Sequence, residues 1–131
     1  MANNLNSILI EGYLVWEPEL RTTPKGTSVC TFQIASTRFY KQDSNLEKEV
    51  SFFEVEAWAK LGEKVGKQGK AGRGVRVVGR LKQDRWQDKN GKAQSKITIV
   101  AEHVEFKPVN DQTPSAEEME IEETMEGNDG E

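Results

Sequence analysis

The chain has very few of the side chains that build disulfides, metal sites or hydrolytic centres. Its 131 residues include one cysteine, Cys30, and one histidine, His103. A single cysteine cannot form an internal disulfide, and together with one histidine it cannot supply the ligands of a structural zinc site. The composition therefore predicts a protein of a reducing compartment, without metal or cofactor.

Long apolar segments are also missing. The longest are about three residues, such as residues 8–10, whereas a membrane-spanning helix needs about 20. The first six residues hold neither the basic patch nor the apolar stretch of a signal peptide. We therefore expect a cytoplasmic protein that does not enter the membrane.

Charge is divided unevenly along the chain. Residues 1–110 carry all 18 Lys and Arg residues and 13 acidic ones, a net charge of +5. Residues 111–131 carry nine acidic residues and no basic one, so that the whole chain has a net charge of -4. A basic body followed by an acidic tail suggests a nucleic-acid partner.

Five segments have the alternation or the β-branched and aromatic content of strands. The predicted strands are residues 7–16, 28–40, 50–58, 75–86 and 94–106, the last burying Ile97, Ile99 and Ala101. A short helix is predicted within residues 60–71, a loop at 41–49 and a hairpin turn at 88–92. A helix between the third and fourth strands predicts an all-β, five-stranded OB-fold barrel.

The strand pattern stops after Pro108. Residues 109–131 contain four aliphatic or methionine side chains and no aromatic one. Such a segment buries too little apolar surface to offset its ordering entropy. We therefore predict two parts, an OB-fold domain over residues 1–108 and a disordered acidic tail over residues 109–131.

The sequence contains few residues that could support catalysis. His103 ends a predicted strand, and Cys30 lies in an apolar strand where a small core residue is expected. The glycine-rich residues 66–74 lack the G-x-x-x-x-G-K-[ST] pattern of a phosphate loop. Glu54 and Glu56 share a strand face, where cross-strand ion pairs are expected rather than an acid–base pair. We expect no catalytic residues and no enzyme.

Aromatic and basic side chains occur on the strand faces opposite the aliphatic core. Phe52 and Trp58 share one face of the third strand, and Trp86 lies on the outward face of the fourth with Arg76, Arg80 and Lys82. Exposed rings beside cations are typical of surfaces that bind single-stranded nucleic acid. Two alternatives remain open: a module for protein or RNA that uses the aromatic face as an interface, and an enzyme of unrecognised type.

Several ordered motifs resemble those of bacterial-type single-stranded DNA-binding proteins. The segment N-S-I-L-I-E-G-Y-L-V-W-E-P-E-L-R from Asn6 has their asparagine, glycine-containing strand and D/E-P-E-hydrophobic-R pattern. The match continues through P-K-G at 24–26, F-Q-I-A-S-T at 32–37, W-A-K-L-G-E at 58–63, V-V-G-R-L at 77–81 and R-W-x-D-x-x-G-x at 85–92. Together these motifs cover about residues 5–106.

The resemblance implies an OB fold, a homotetramer, and single-stranded DNA binding in replication, recombination and repair. The base-stacking positions it implies are Tyr40, Phe52, Trp58 and Trp86, where Tyr40 and Phe52 replace a frequent tryptophan. The basic positions it implies for phosphate contacts are Arg21, Lys60, Arg80, Lys82 and Arg85. The strand and loop interpretation alone adds Arg38, Lys41, Arg73 and Arg76 to the predicted phosphate contacts.

The tail matches the family in part. Family members commonly end in an acidic segment with a Pro-Phe dipeptide that binds replication and repair proteins, and this chain ends G-N-D-G-E. Met119, Ile121 and Met125, placed among glutamates, form an alternative partner motif, and a purely solvating tail is the competing interpretation.

Overall fold

The computed structural model describes residues 2–108. These residues form six strands and one helix: β1 (Ile8–Leu14), β2 (Glu19–Thr22), β3 (Ser28–Gln42), β4 (Asn45–Trp58), α1 (Ala59–Gln68), β5 (Gly74–Gln87) and β6 (Ala93–Phe106). The predicted acidic tail, with Met119, Ile121 and Met125, lies outside the described residues. Within residues 2–108 no helix is long and apolar enough to cross a membrane.

Five of the strands close into a barrel. The sheet order is β1-β5-β6-β4-β3-β2, and an additional β1–β3 pairing closes all of these strands except β2 into a ring. Two of the junctions are short: β1 and β3 pair at Tyr13–Ala35 and Leu14–Ile34, and β4 and β6 pair in parallel at two positions. The predicted five-stranded barrel, with its helix between the third and fourth barrel strands, is confirmed.

The inward parity of the strands forms the core. Leu14, Ile34, Val55, Val77 and Val104 are fully buried within one apolar cluster. The helix α1 covers the barrel beside β3 and buries its Val65 in the same cluster. Burial of these aliphatic side chains is the main favourable term in folding.

A β-bulge shifts the pairing register between β5 and β6. Val78 pairs with His103 and Gly79 with Ala101, so Glu102 is the extra residue of a β-bulge. A Cβ at Gly79 would lie 3.0 Å from the Val100 carbonyl carbon, so glycine is required for the close approach of β5 and β6.

The predicted loop at residues 41–49 is wrong. β3 continues to Gln42 and β4 begins at Asn45, leaving a two-residue turn of Asp43 and Ser44. Both turn residues have positive φ values, 52° and 70°, as the favoured two-residue hairpin turns require. The result is a hairpin arm, the β3–β4 arm (residues 37–50), most of whose side chains are exposed.

Two smaller features also differ from the sequence analysis. A short strand, β2, which is not among the predicted strands, lies between β1 and β3 in the chain and pairs with β3. Ile97 was expected in the core and is exposed, because it lies on the β5–β6 hairpin beyond the end of the barrel. The hairpin turn at residues 88–92 is confirmed by the hydrogen bond from Gly91 N–H to the Asp88 carbonyl.

Candidate nucleic-acid interface

Two tryptophans stand on the outward surface of three neighbouring strands, which we call the β4–β6–β5 face. Its side chains are Glu54, Glu56 and Trp58 on β4, Lys96, Thr98 and Val100 on β6, and Arg80, Lys82, Asp84 and Trp86 on β5. Alternate residues of a strand share a face, and paired residues lie side by side. Trp58 is 38% exposed and Trp86 47% exposed, so both rings are accessible.

Trp58 lies beside two predicted phosphate contacts. Arg21 on β2 pairs with Val29 on β3, which in turn pairs with Trp58, so Arg21 and Trp58 share the outward face. Lys60 follows two residues later in the first turn of α1 and is exposed. Neither Arg21 nor Lys60 makes an ion pair with a described residue, so both are available to an anion.

The centre of the β4–β6–β5 face is more acidic than the sequence analysis suggests. The Lys82 ammonium lies 3.0 Å from Glu56 Oε1 and 3.2 Å from Asp84 Oδ1, and Arg80 Nη1 lies 4.0 Å from Glu102. The hydrogen bond to Glu56 is the main reason that the pKa of Lys82 is raised above its usual value. Lys82 is therefore a firmly charged cation that already has two carboxylate partners.

Trp86 occupies the hairpin formed by β5 and β6. A cleft of about 500 Å³ beside it is lined by Gln83, Arg85, Gln94 and neighbouring residues. Arg85 receives support from Gln83 Oε1, which accepts hydrogen bonds from Arg85 Nε and Nη2 at 3.3 and 3.1 Å. Arg85 and Trp86 are consecutive on β5 and therefore project to opposite faces of the hairpin, although both border this cleft.

The β3–β4 arm separates the other two predicted stacking residues. Phe52 pairs with Ala35, whereas Tyr40 pairs with Glu47, five residues further along β3. Because side chains alternate, Tyr40 and Phe52 project to opposite faces of the sheet formed by β3 and β4. Phe52 is half-buried against a small cluster around Val15 and Val50, while Tyr40 carries the Arg38 guanidinium 4.7 Å from its ring centroid.

The predicted phosphate contacts on this arm differ in their partners. Arg38 Nε bonds Glu49 Oε1 at 3.3 Å, so its charge is already paired. Lys41 is exposed near the turn and makes no ion pair within residues 2–108.

Arg73 and Arg76 each have a partner of their own. Arg76 bonds Glu11, whose pKa is lowered mainly by that hydrogen bond, and Arg73 stacks 5.4 Å from the Phe106 ring centroid. Arg76 is ten residues from Trp86 on β5, a separation of about 33 Å along a strand. Arg76 is therefore far from Trp86, and its charge is already paired with Glu11.

Sequence reasoning missed two accessible residues. Phe39 is exposed and shares the Phe52 side of the β3–β4 arm, and Lys96 stands on the β4–β6–β5 face 3.4 Å from Glu54. The parity of Phe39 relative to Ala35 was a usable signal for its side of the strand. The position of Lys96 depends on the pairing of β6 with β5, which the local sequence does not specify.

The described part of the chain contains no group of three or more His, Cys, Asp or Glu residues placed to hold a metal ion. Cys30 is fully buried, and desolvation raises its thiol pKa to about 11. A thiol in that state is a poor nucleophile at neutral pH.

Comparison with known proteins gives one consistent result. The model of the "Single-strand binding protein family" matches residues 5–107. A single-stranded DNA-binding protein of Aquifex aeolicus is 38% identical over 120 residues, covering 89% of this chain and 81% of that protein. One of Helicobacter hepaticus is 34% identical over 113 residues, covering 83% of this chain and 66% of that protein.

A solved structure shares the fold. The Plasmodium falciparum SSB in complex with ssDNA has a TM-score of 0.75 at 21% identity, over 82% of this chain and 99% of that chain. This likeness supports the OB-fold assignment of the barrel. The family model and the relatives settle the classification: the chain belongs to the single-strand binding protein family.

Proposed function

We propose that this protein binds and protects single-stranded DNA without strong sequence preference and without catalysing a reaction. The observation that carries the proposal is the pair of accessible rings, Trp58 and Trp86, at two ends of one basic-rimmed sheet face. Every base has a flat π-face, so stacking on such rings is tolerant of sequence. The membership of the chain in the single-strand binding protein family supports the same function.

Binding combines stacking with phosphate contacts. Base–aromatic stacking contributes about 1–3 kcal/mol per base, a range established on single-strand-binding proteins with this fold. Arg21 and Lys60 near Trp58, and Arg85 on the hairpin that carries Trp86, make no ion pair within residues 2–108 and are the first candidates for phosphate contacts. Each neutralised phosphate releases counterions, so the affinity should fall with salt at a log–log slope of about -0.7 per phosphate.

The proposed setting is DNA replication, recombination and repair in the bacterial cytoplasm, at the nucleoid. The family assignment supports this setting. The proposal includes recruitment of replication and repair proteins through the acidic tail, and the residues proposed for it are Met119, Ile121 and Met125. That motif lies outside the described residues.

The test is a fluorescence titration of the three tryptophans with oligo-dT, repeated with oligo-rU and at two salt concentrations. We expect strong quenching that is weaker at high salt and favours DNA over RNA, because a 2′-hydroxyl distinguishes the two strands. Equal quenching by oligo-rU would favour an RNA-binding module. No quenching of the folded protein would refute the stacking face and favour a protein interface.

We also propose that the protein assembles as a homotetramer. One support is the edge of β1: residues 8–12 pair with β5 on one side only, among the residues the structure describes. An edge with unpaired N–H and C=O groups is a template for a second strand. Leu9 in the same segment is exposed, so a second copy of β1 would meet an apolar side chain there.

A second surface supports assembly beyond a dimer. Phe53, Leu81 and Ile97 have the core-facing parity, and all three are nevertheless exposed. Contiguous exposed apolar side chains of this kind mark interaction sites. Light scattering on the eluting protein tests the proposal: we expect about four times the 14.8 kDa chain mass, and a monomer at micromolar concentration would refute it. Leu9→Lys should lower the mass, with Leu46→Lys in the exposed arm as the control.

A further inference from the structure

One carboxylate joins a proposed stacking ring to a proposed phosphate contact. Glu56 Oε1 accepts a hydrogen bond from the Trp58 indole Nε1–H at 3.2 Å and another from the Lys82 ammonium at 3.0 Å. The Glu56 side chain is only 13% exposed, the least of the carboxylates paired on this face. Charge-assisted bonds to such a poorly solvated carboxylate are stronger than those between fully exposed groups.

The Lys82 side chain reaches Glu56 by crossing the neighbouring strand. Lys82 pairs with Thr98 of β6, and Glu56 pairs with Val100 of the same strand. Thr98 and Val100, on the strand between them, are buried although they share the outward face. The Lys82 ammonium therefore has a fixed position between Glu56 and Asp84, with two negative charges against its one positive charge.

We propose that Glu56 is a positioning residue of this DNA-binding face, which holds the Trp58 ring and keeps the Lys82 ammonium until a DNA phosphate replaces it. This inference rests on the proposed function. A phosphate that reaches Lys82 exchanges one ion pair for another and leaves Glu56 without its cation. The carboxylate then takes up a salt cation, which offsets the counterion released from the DNA. Glu56 thus lowers both the affinity and the salt dependence of binding.

The neighbouring Glu54 provides a matched control. It lies two residues earlier on the same face of β4 and carries the same charge. Its partner is Lys96, at 3.4 Å, and it makes no hydrogen bond with an aromatic ring or with Lys82 among residues 2–108. A general effect of removing a negative charge would be similar at the two positions.

The experiment measures oligo-dT affinity against salt for Glu56→Gln and Glu54→Gln, each alone and combined with Lys82→Gln. Glutamine keeps the size of the side chain and an oxygen that can accept the Trp58 bond. For Glu56→Gln we expect the log–log slope of affinity against salt to be steeper by about 0.7. The ratio of the variant's affinity to that of the wild type should then be about threefold higher at 50 mM salt than at 200 mM salt. This change should vanish in the Lys82→Gln background, whereas any effect of Glu54→Gln should be the same in both backgrounds.

An unchanged slope for Glu56→Gln, or a change that persists without Lys82, would overturn the proposal. Failure of the wild-type protein to bind oligo-dT would instead refute the proposed function. A second readout needs no DNA: the Trp58 indole N–H resonance should shift in Glu56→Ala, which removes the acceptor, and stay near its place in Glu54→Ala. A Trp58 indole resonance that does not shift in Glu56→Ala would refute the positioning role, even if the salt slopes agreed with the expected values.

Discussion

Replacing the two accessible tryptophans of the β4–β6–β5 face should weaken DNA binding by separate and additive amounts. Each of Trp58→Ala and Trp86→Ala removes one stacking platform, with an expected loss of about 1–3 kcal/mol. Because 1.4 kcal/mol is tenfold in affinity, each loss corresponds to about 5- to 150-fold. Trp58 should lie nearer the upper end, since its indole bond to Glu56 holds the ring before the strand arrives.

The structure also fixes how the two losses combine. Trp86 pairs with Gln94, and Trp58 lies level with residue 102 of β6 by the β4–β6 register. The two rings are thus about 26 Å apart along the strand, at about 3.3 Å per residue. Sites this far apart with no shared partner add within about 0.5 kcal/mol. The double variant should therefore lose the sum of the single losses.

The assay is equilibrium titration with a labelled oligo-dT that is long enough to reach both rings, at one fixed salt concentration. Trp16→Ala is the matched control, because Trp16 is 48% exposed but lies outside this face. We expect its affinity to remain within twofold of the wild type. Equal losses for Trp16→Ala and Trp58→Ala, or no loss for either face variant in a folded protein, would refute the reasoning.

Three further predictions concern the fold. Glu11→Gln should cause a small loss of stability at pH 7 that disappears in acid. The lowered pKa of Glu11 stabilises the fold above the ordinary value of 4.5, and this stabilisation is lost as the pH falls through the lowered pKa. Urea unfolding at pH 7 and pH 3 measures the difference in stability. Cys30 should react with thiol reagents at pH 8 only after unfolding. Because its thiol pKa is raised from 9.0 to about 11, Cys30 stabilises the fold below pH 9, and this contribution is lost as the pH rises through 11. Unfolding the wild type and Cys30→Ala in parallel across this pH range would detect the loss. Gly79→Ala should cost about 1–3 kcal/mol in urea unfolding, because its Cβ meets backbone atoms of β6; Gly66→Ala, whose Cβ meets only the Leu20 side chain, is the control and should cost far less.

The barrel itself was predictable from the sequence because its signals are local. Alternation gave the inward parity of Ile99 and Ala101 correctly, and the turn residues around Gly91 marked the β5–β6 hairpin. The β3–β4 arm was missed because most of its side chains are exposed on both faces, so no apolar alternation marks residues 41–49 as strands. Ile97 was misplaced because alternation shows which way a side chain points but not where the barrel ends.

The candidate site was predictable in its residue types and not in its electrostatics. The positions of Trp58 and Trp86 on outward faces followed from parity and from the family motifs, and both rings are exposed. The sequence predicts cross-strand ion pairs at Glu54 and Glu56 but does not identify Lys82 as the partner of Glu56, since the two residues are 26 apart in sequence and meet only through the register across β6. Cation counts along a strand therefore overstate how many charges remain available to phosphate.

The parallel junction between β4 and β6 has a consequence for the order in which the molecule opens. Only Val55–Ile99 and Glu56–Val100 pair there, whereas β3 and β4 pair along their whole length. Backbone amides on the two sides of this seam should exchange with deuterium earlier than those of the β3–β4 and β5–β6 hairpins, which then separate as intact units. The Lys82–Glu56 ion pair bridges this junction, since Lys82 lies on β5 and Glu56 on β4. A ligand that draws Lys82 away from Glu56 would therefore also weaken the junction at which the two hairpins separate.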